Sequence, residues 1–202
     1  MKKIFIPALL LIVLALSAGR TAKYEVGDNV ADFKLKNTDG KFVSLSDYAD
    51  KKGVVVIFDC NTCPYSQAYN DRIINLHKKY APQGFPVIAI NANSPDLSPG
   101  DSFEQMVNQA KRKKYEFPYL VDESQEVARS FGATNTPHVF VLAKKDAGFV
   151  VAYIGAIDNN TRDAGAADKK YVEDAIGSLL TNKAIPTTKT KAIGCGIKWK
   201  DA

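Results

Sequence analysis

Cys60 and Cys63 stand two residues apart, where the apolar run Gly53-Val54-Val55-Val56-Ile57-Phe58 gives way to a helical pattern. Reversible disulfide exchange needs such a pair at such a place. The unpaired N–H groups and positive dipole end of a helix N-terminus favour a thiolate over a thiol. On this reading Cys60, just outside the helix, is the accessible attacking thiol, and Cys63, in the first helical turn, resolves the mixed disulfide. Pro64 is tolerated because first-turn N–H groups have no helical partner. Asp59 beside Cys60 would disfavour the thiolate, and it is expected to point into solvent. Two other uses of the pair are weaker. Half of a metal site would need partner ligands at a matching spacing, which neither His77 nor His138 supplies. An inert staple would close too short a loop to constrain the unfolded chain much.

Hydrophobic periodicity outlines the elements that must position this pair. Val54 to Phe58 is a continuous apolar run of strand length, suited to a central strand buried on both faces. Tyr65, Tyr69, Ile73, Leu76 and Tyr80 mark one helical face that ends near Pro82 and Gly84. Pro86 to Ile90 is a second buried strand. Ser102 with Gln105 reads as a capping box opening a helix with Phe103, Met106, Val107 and Ala110 on one stripe. A short strand at Phe117–Val121 precedes a short helix with Val127, Ala128 and Phe131 inward. His138–Leu142 and residues 148–154 form a hairpin, and a last helix runs near 168–182. Upstream, Phe33 and Leu35 alternate with lysines, and Val43 and Leu45 alternate again beyond the turn dipeptide Asp39-Gly40, a hairpin signal. The order is hairpin, β-α-β, an extra helix, then β-β-α. This predicts one α/β domain with a central mixed sheet flanked by helices, an N-terminal β-hairpin extension and an extended C-terminal tail.

The chain has 202 residues, 46% hydrophobic and 24% charged, which is ordinary globular composition. Its 27 basic and 22 acidic residues give +5, and removing Lys2 and Lys3 leaves +3. That excess is too mild to point to nucleic acid. Three cysteines are too few for a disulfide scaffold. Lys2 and Lys3 precede an apolar stretch, Ile4 to Leu16, and the small residues Ser17-Ala18-Gly19 follow it. This is the pattern of a cleaved signal peptide over residues 1–19, shorter than the ~20 residues of a spanning helix. It predicts export to a periplasm, with membrane contact only through an uncleaved leader. A domain over residues 24–182 and a tail over 183–202 complete the expected organisation.

With these pieces in place, the chain resembles thioredoxin-fold proteins of the redoxin, or AhpC/TSA, group. The resemblance is carried by Val26-Gly-Asp-Asn-Val-Ala-Asp-Phe33 with the Asp39-Gly40 hairpin, the strand into Cys60-Asn-Thr-Cys63-Pro64, and Thr136-Pro137 before a strand. It is nearest a peroxiredoxin-like subgroup with a CNxCP motif and a tail like Gly194-Cys195-Gly196-Ile197-Lys198-Trp199. The resemblance implies a thioredoxin fold with a cis Thr136-Pro137 bond, Pro137 lying against the cysteines and the Thr136 backbone able to pair with a substrate strand. The departures are specific. The WCGPC of thioredoxin is missing, and Val54 stands where thioredoxin buries an aspartate. The PxxxTxxC signature of true peroxiredoxins fits from neither cysteine: Val56 and Cys60 hold its proline and threonine places counted from Cys63, Gly53 and Ile57 those counted from Cys60.

Cys195 leaves an odd cysteine, expected to be mobile and exposed between two glycines. It is either a third redox cysteine or a tail residue packed beside Trp199. His138 is expected to pack away from the cysteines, His77 to be a half-exposed structural residue, and Lys111–Lys114 a solvated helix end. The residues lead to an exported thiol–disulfide oxidoreductase using Cys60, Cys63, Thr136 and Pro137, with no metal or organic cofactor. Its partners would be protein or small-molecule disulfides and a separate thiol donor or acceptor. A thiol peroxidase and a soft-metal chaperone are the alternative readings.

Overall fold

A computed structural model describes residues 23–200; the expected leader at residues 1–19 lies outside them. In chain order the elements are β1 (Asn29–Val30), β2 (Lys34–Asn37), β3 (Phe42–Ser44), β4 (Gly53–Phe58), α1 (Pro64–Tyr80) and β5 (Val87–Asn91). Then come α2 (Phe103–Lys113), β6 (Tyr119–Val121), α3 (Glu126–Phe131), β7 (Asn135–Thr136), β8 (His138–Lys145), β9 (Gly148–Gly155), α4 (Tyr171–Leu180) and β10 (Cys195–Gly196). Among the described residues no helix is long and apolar enough to cross a membrane.

One mixed sheet runs in the order β1-β9-β8-β4-β5-β6-β2-β3. β4 is parallel to β5 and antiparallel to β8, which places it at the centre. Every residue of β4 is buried, and its alternation divides the core in two. Val55 and Ile57 face a cluster with Tyr69, Ile73 and Leu76 of α1 and Val172 and Ile176 of α4. Val54, Val56 and Phe58 face the opposite cluster with Phe131 of α3 and Phe140 and Leu142 of β8. A strand sandwiched in this way has no solvent face, so its sequence is continuously apolar.

The hairpin around Asp39-Gly40 forms as expected, with Leu35 opposite Val43. Gly40 takes a positive φ in its turn, which a side chain would resist. Ser102 caps α2, its hydroxyl accepting the Gln105 N–H at 3.4 Å. The edge strand β1 was not visible in the sequence: two residues carry too little periodicity. β1 forms because β9 offers an open edge, with Asn29 opposite Val150.

The tail departs from expectation. It is not a free segment but is tied to the body along its length. Ile154 donates its N–H to Thr188 O and accepts that of Thr190. β10 pairs antiparallel with β7 in a small separate ribbon, and Ile197 is buried in the α3-side cluster. The Arg129 guanidinium lies 4.6 Å over the Trp199 ring.

Candidate active site

Backbone pairing continues one residue past β4, since Asp59 donates its N–H to Ile90 O. The chain then turns through Cys60-Asn61-Thr62-Cys63 into α1. Cys63 itself is the N-cap and Pro64 the first helical residue. The expectation that Cys60 sits exposed at the helix end is therefore corrected. Cys63 occupies the helix terminus, Cys60 lies three residues before it, and they are only 4% and 2% exposed for Cys60 and Cys63 respectively.

The turn is held from inside by Asp101. Its carboxylate accepts the Asn61 N–H at 2.6 Å, the Thr62 hydroxyl at 2.8 Å and the Ser98 hydroxyl at 2.6 Å. The side-chain amides of Asn93 and Asn91 donate to it at 2.9 and 3.2 Å. Burial alone would raise the Asp101 pKa, but the donors, Ser98 and Asn93 foremost, outweigh it and hold the carboxyl below its ordinary value. Sequence reasoning missed Asp101 because its partners come from three separate segments; the only signal was the position of Asn91 and Asn93 at the carboxyl end of a central strand.

Across the groove, the Thr136-Pro137 peptide is cis, and Thr136 touches both cysteines. Its hydroxyl lies 3.1 Å from Cys60 Sγ and its carbonyl oxygen 3.2 Å from Cys63 Sγ. Cys195 completes the cluster with its Sγ 2.7 Å from Cys63 Sγ and its backbone N–H 3.4 Å from the same sulfur. All three cysteines are free thiols, and Cys195 is half-buried. The structure thus brings Cys60, Cys63, Thr136, Pro137 and Cys195 into one site.

The electrostatics separate the sulfurs. Cys63 is driven well below an ordinary thiol by hydrogen bonding from Cys60, against its burial, and then by the Cys195 thiol and the backbone N–H groups of Ser66 and Cys195. Cys60 is driven the other way, by that same hydrogen bond, by burial and by the charges of Asp101 and Asp59. Cys195 is pushed up to about 11 by burial and by its contact with Cys63. These influences favour Cys63 over Cys60 as the thiolate of the site. At about pH 6, where a free thiol is almost wholly protonated, the reduced protein should retain one thiolate's absorbance near 240 nm. Cys63→Ser should abolish that signal; its survival in Cys63→Ser would assign the thiolate to another cysteine.

Asp59 does not point into solvent. It is 5% exposed, one carboxylate oxygen has no hydrogen-bond partner, and burial raises its pKa to about 6. The cause is strand alternation: Asp59 continues the Val55–Ile57 face and lands beneath α1. The Ser66 hydroxyl, which helps to stabilise the Asp59 carboxylate, lies 3.8 Å from Cys60 Sγ. Ser66 thus stands beside Cys60 and influences Asp59. His138 packs away from the sulfurs as expected, its ring 4.8 Å from that of Phe140 and its Nδ1 accepting the Thr134 N–H at 3.3 Å. His77 is half-buried on α1, where its Nδ1 accepts the Val87 N–H.

The sequence model of the AhpC/TSA family matches residues 26–157, most of the α/β body and the whole Cys60-to-Pro137 site. The chain belongs to the AhpC/TSA family. Among curated relatives, the thiol-disulfide oxidoreductase ResA of Bacillus thuringiensis is 26% identical over 125 residues, covering 60% of this chain and 66% of ResA. The chain thus spans slightly less than two thirds of that relative's length. An uncharacterized conserved protein from Geobacillus kaustophilus superposes with a TM-score of 0.81 at 32% identity, covering 88% of this chain and 94% of that one. A thiol:disulfide interchange protein of the thioredoxin family from Chlorobium tepidum gives 0.58 at 19% identity, covering 79% and 99%. That likeness speaks for the fold alone. The AhpC/TSA body here is a thioredoxin fold: a mixed sheet flanked by helices, with the cysteine pair at the start of α1.

Proposed function

We propose that this chain is an exported thiol–disulfide oxidoreductase in which Cys63 attacks, Cys60 resolves, and Thr136 with Pro137 shapes the groove. The observation that carries the reading is the position of Cys63: N-cap of a 17-residue helix, with the Cys195 backbone N–H donating to its sulfur at 3.4 Å. A thiolate at that place attacks a substrate disulfide; the Cys63–substrate bond forms and the substrate's second sulfur leaves. Cys60 then attacks Cys63 Sγ, the substrate thiol is released, and the Cys60–Cys63 disulfide remains. Cys60 is a poor nucleophile while protonated, and the buried Asp59 carboxylate is the group that takes its proton through Ser66. A separate dithiol or disulfide partner resets the pair.

Peroxide chemistry is the less favoured reading. Counted back from Cys63, the place of the peroxiredoxin threonine is held by Cys60, so the hydroxyl that would orient a hydroperoxide is a thiol here. Export rests on the charged and apolar pattern of residues 1–19.

The roles are separable by trapping. A Cys60→Ser/Cys195→Ser double variant should accumulate a mixed disulfide with a disulfide-containing protein such as insulin. Cys63→Ser should form none and reduce insulin no faster than a free thiol. Trapping through Cys60 in Cys63→Ser would reverse the assignment, and loss of all trapping in both would remove disulfide exchange as the function.

A further inference from the structure

The third sulfur is seated on the Thr136 edge, beside Cys63. β10 is hydrogen-bonded to the Thr136 edge of β7, with Cys195 directly opposite Thr136 and Gly196 opposite Asn135. Asn135 further donates its side-chain amide to Gly194 O at 2.9 Å. The approach is so close that a Cβ on Gly194 would stand 2.1 Å from Thr136 O, which explains the glycine. Both flanks are anchored. Upstream, Thr190 Oγ1 contacts Tyr153 Oη at 2.6 Å and accepts the Ala156 N–H at 3.0 Å. Downstream, Ile197 donates its N–H to Thr134 O, Lys198 O accepts the Ser94 N–H, and the Gln125 side chain bonds Lys198 and Lys200. Between these anchors Cys195 is held against Cys63, and it is the least buried of the three cysteines.

We infer that Cys195 is a redox relay that carries the disulfide between the buried Cys60–Cys63 pair and an external dithiol. The inference rests on the exchange activity proposed above. In the oxidised protein the Cys195 thiolate attacks Cys63 Sγ. The Cys63–Cys195 bond forms, the Cys60–Cys63 bond breaks, and Cys60 leaves as a thiolate that takes a proton from Asp59 through Ser66. No electrons enter at this step. One thiolate of the external dithiol then attacks Cys195 Sγ and releases Cys63 as its thiolate. The second thiol of the dithiol attacks its partner sulfur, frees Cys195, and leaves the dithiol oxidised by two electrons. In the reduced resting state the Cys63 and Cys195 sulfurs lie in contact, 2.7 Å apart, and Cys195 is a sulfur that keeps its proton.

Disulfide mapping and reduction kinetics on the purified protein test this. After stoichiometric oxidation with diamide, monomeric Cys60→Ser should contain a Cys63–Cys195 cross-linked peptide as its main disulfide. Oxidised Cys195→Ser, which retains Cys60–Cys63, should be reduced by a protein dithiol (reduced thioredoxin) at least about tenfold more slowly than wild type. Gly194→Ala keeps all three cysteines but pushes the tail off Thr136; it should slow the same reduction and speed alkylation of Cys63 by iodoacetamide. Cys60→Ser yielding only intermolecular dimers, or Cys195→Ser reduced at the wild-type rate, would overturn the relay. Either result leaves the trapping assay with Cys63 unaffected, so failure of the relay is distinct from failure of the exchange activity.

Discussion

Asp59→Asn should make the protein more stable at neutral pH and a slower oxidoreductase. A carboxyl whose folded pKa is raised from 3.8 to about 6 contributes stability that is fully present below its ordinary value and is lost as pH rises through 6. At pH 7 the fold therefore holds a buried anion with an unpartnered oxygen. Replacing it by the neutral amide should raise the unfolding free energy by as much as about 3 kcal/mol, the equivalent of a shift of roughly two pKa units. The gain should fade toward pH 4, where wild-type Asp59 is protonated as well. Urea unfolding of the reduced proteins at pH 4.5 and 7.5 measures both ends. In activity the sign is opposite. Without its proton acceptor, release of substrate by Cys60 should slow on the order of 10²-fold, and the pH–rate profile should lose its inflection near 6. A variant that is no more stable at pH 7.5 than at pH 4.5, with an unchanged profile, would remove Asp59 from the mechanism.

Asp101 is the opposite kind of buried carboxylate. Five donors converge on it, and it fixes the turn that carries both cysteines. Asp101→Ala strands those donors, two of them on the Asn61-Thr62 turn, and should cost about 3–5 kcal/mol. Asp101→Asn keeps one acceptor oxygen and should cost clearly less. Because the folded pKa is lowered, this stabilisation is present above the ordinary carboxylate value and is lost as pH falls through the folded one. Asp101 and Asp59 thus tilt the pH dependence of stability in opposite directions. Guanidinium unfolding, followed together with the Cys63 thiolate absorbance, reads stability and site geometry in one titration. A loss below about 1 kcal/mol with an unchanged thiolate signal would mean that other contacts hold the turn.

The mixed sheet, its hairpin and the helix behind the cysteines were legible because each rests on a local period. Val54 to Phe58 is apolar on both faces; Tyr69, Ile73 and Leu76 return every three or four residues; Asp39-Gly40 closes a turn within its own hairpin. Even Asp59 was within reach, since extending the alternation of Val55 and Ile57 by one residue puts it under α1. Reading it as solvent-facing gave its charge more weight than its register. The helix starts one step later than the pattern suggests, with Cys63 as the N-cap and not within the first turn. With proline admissible anywhere in the first turn, the pattern left Cys63 free to be the N-cap or the first helical residue.

The sequence by itself determined that this protein carries a CxxC cysteine pair between a buried strand and a helix in an α/β body. Those features follow from neighbouring residues, and short-range spacing is enough to write them. Tertiary structure alone decided that Asp101 lies buried against the cysteine turn and that Cys195 is seated on Thr136 beside Cys63. Each of these depends on contacts across 40 to 132 residues of chain between Asn61 and Asp101 or Cys63 and Cys195. No local period encodes such contacts. They exist because the folded sheet leaves the Thr136 edge open beside the sulfurs, and the tail, pinned by Thr190 on one side and Ile197 on the other, crosses it.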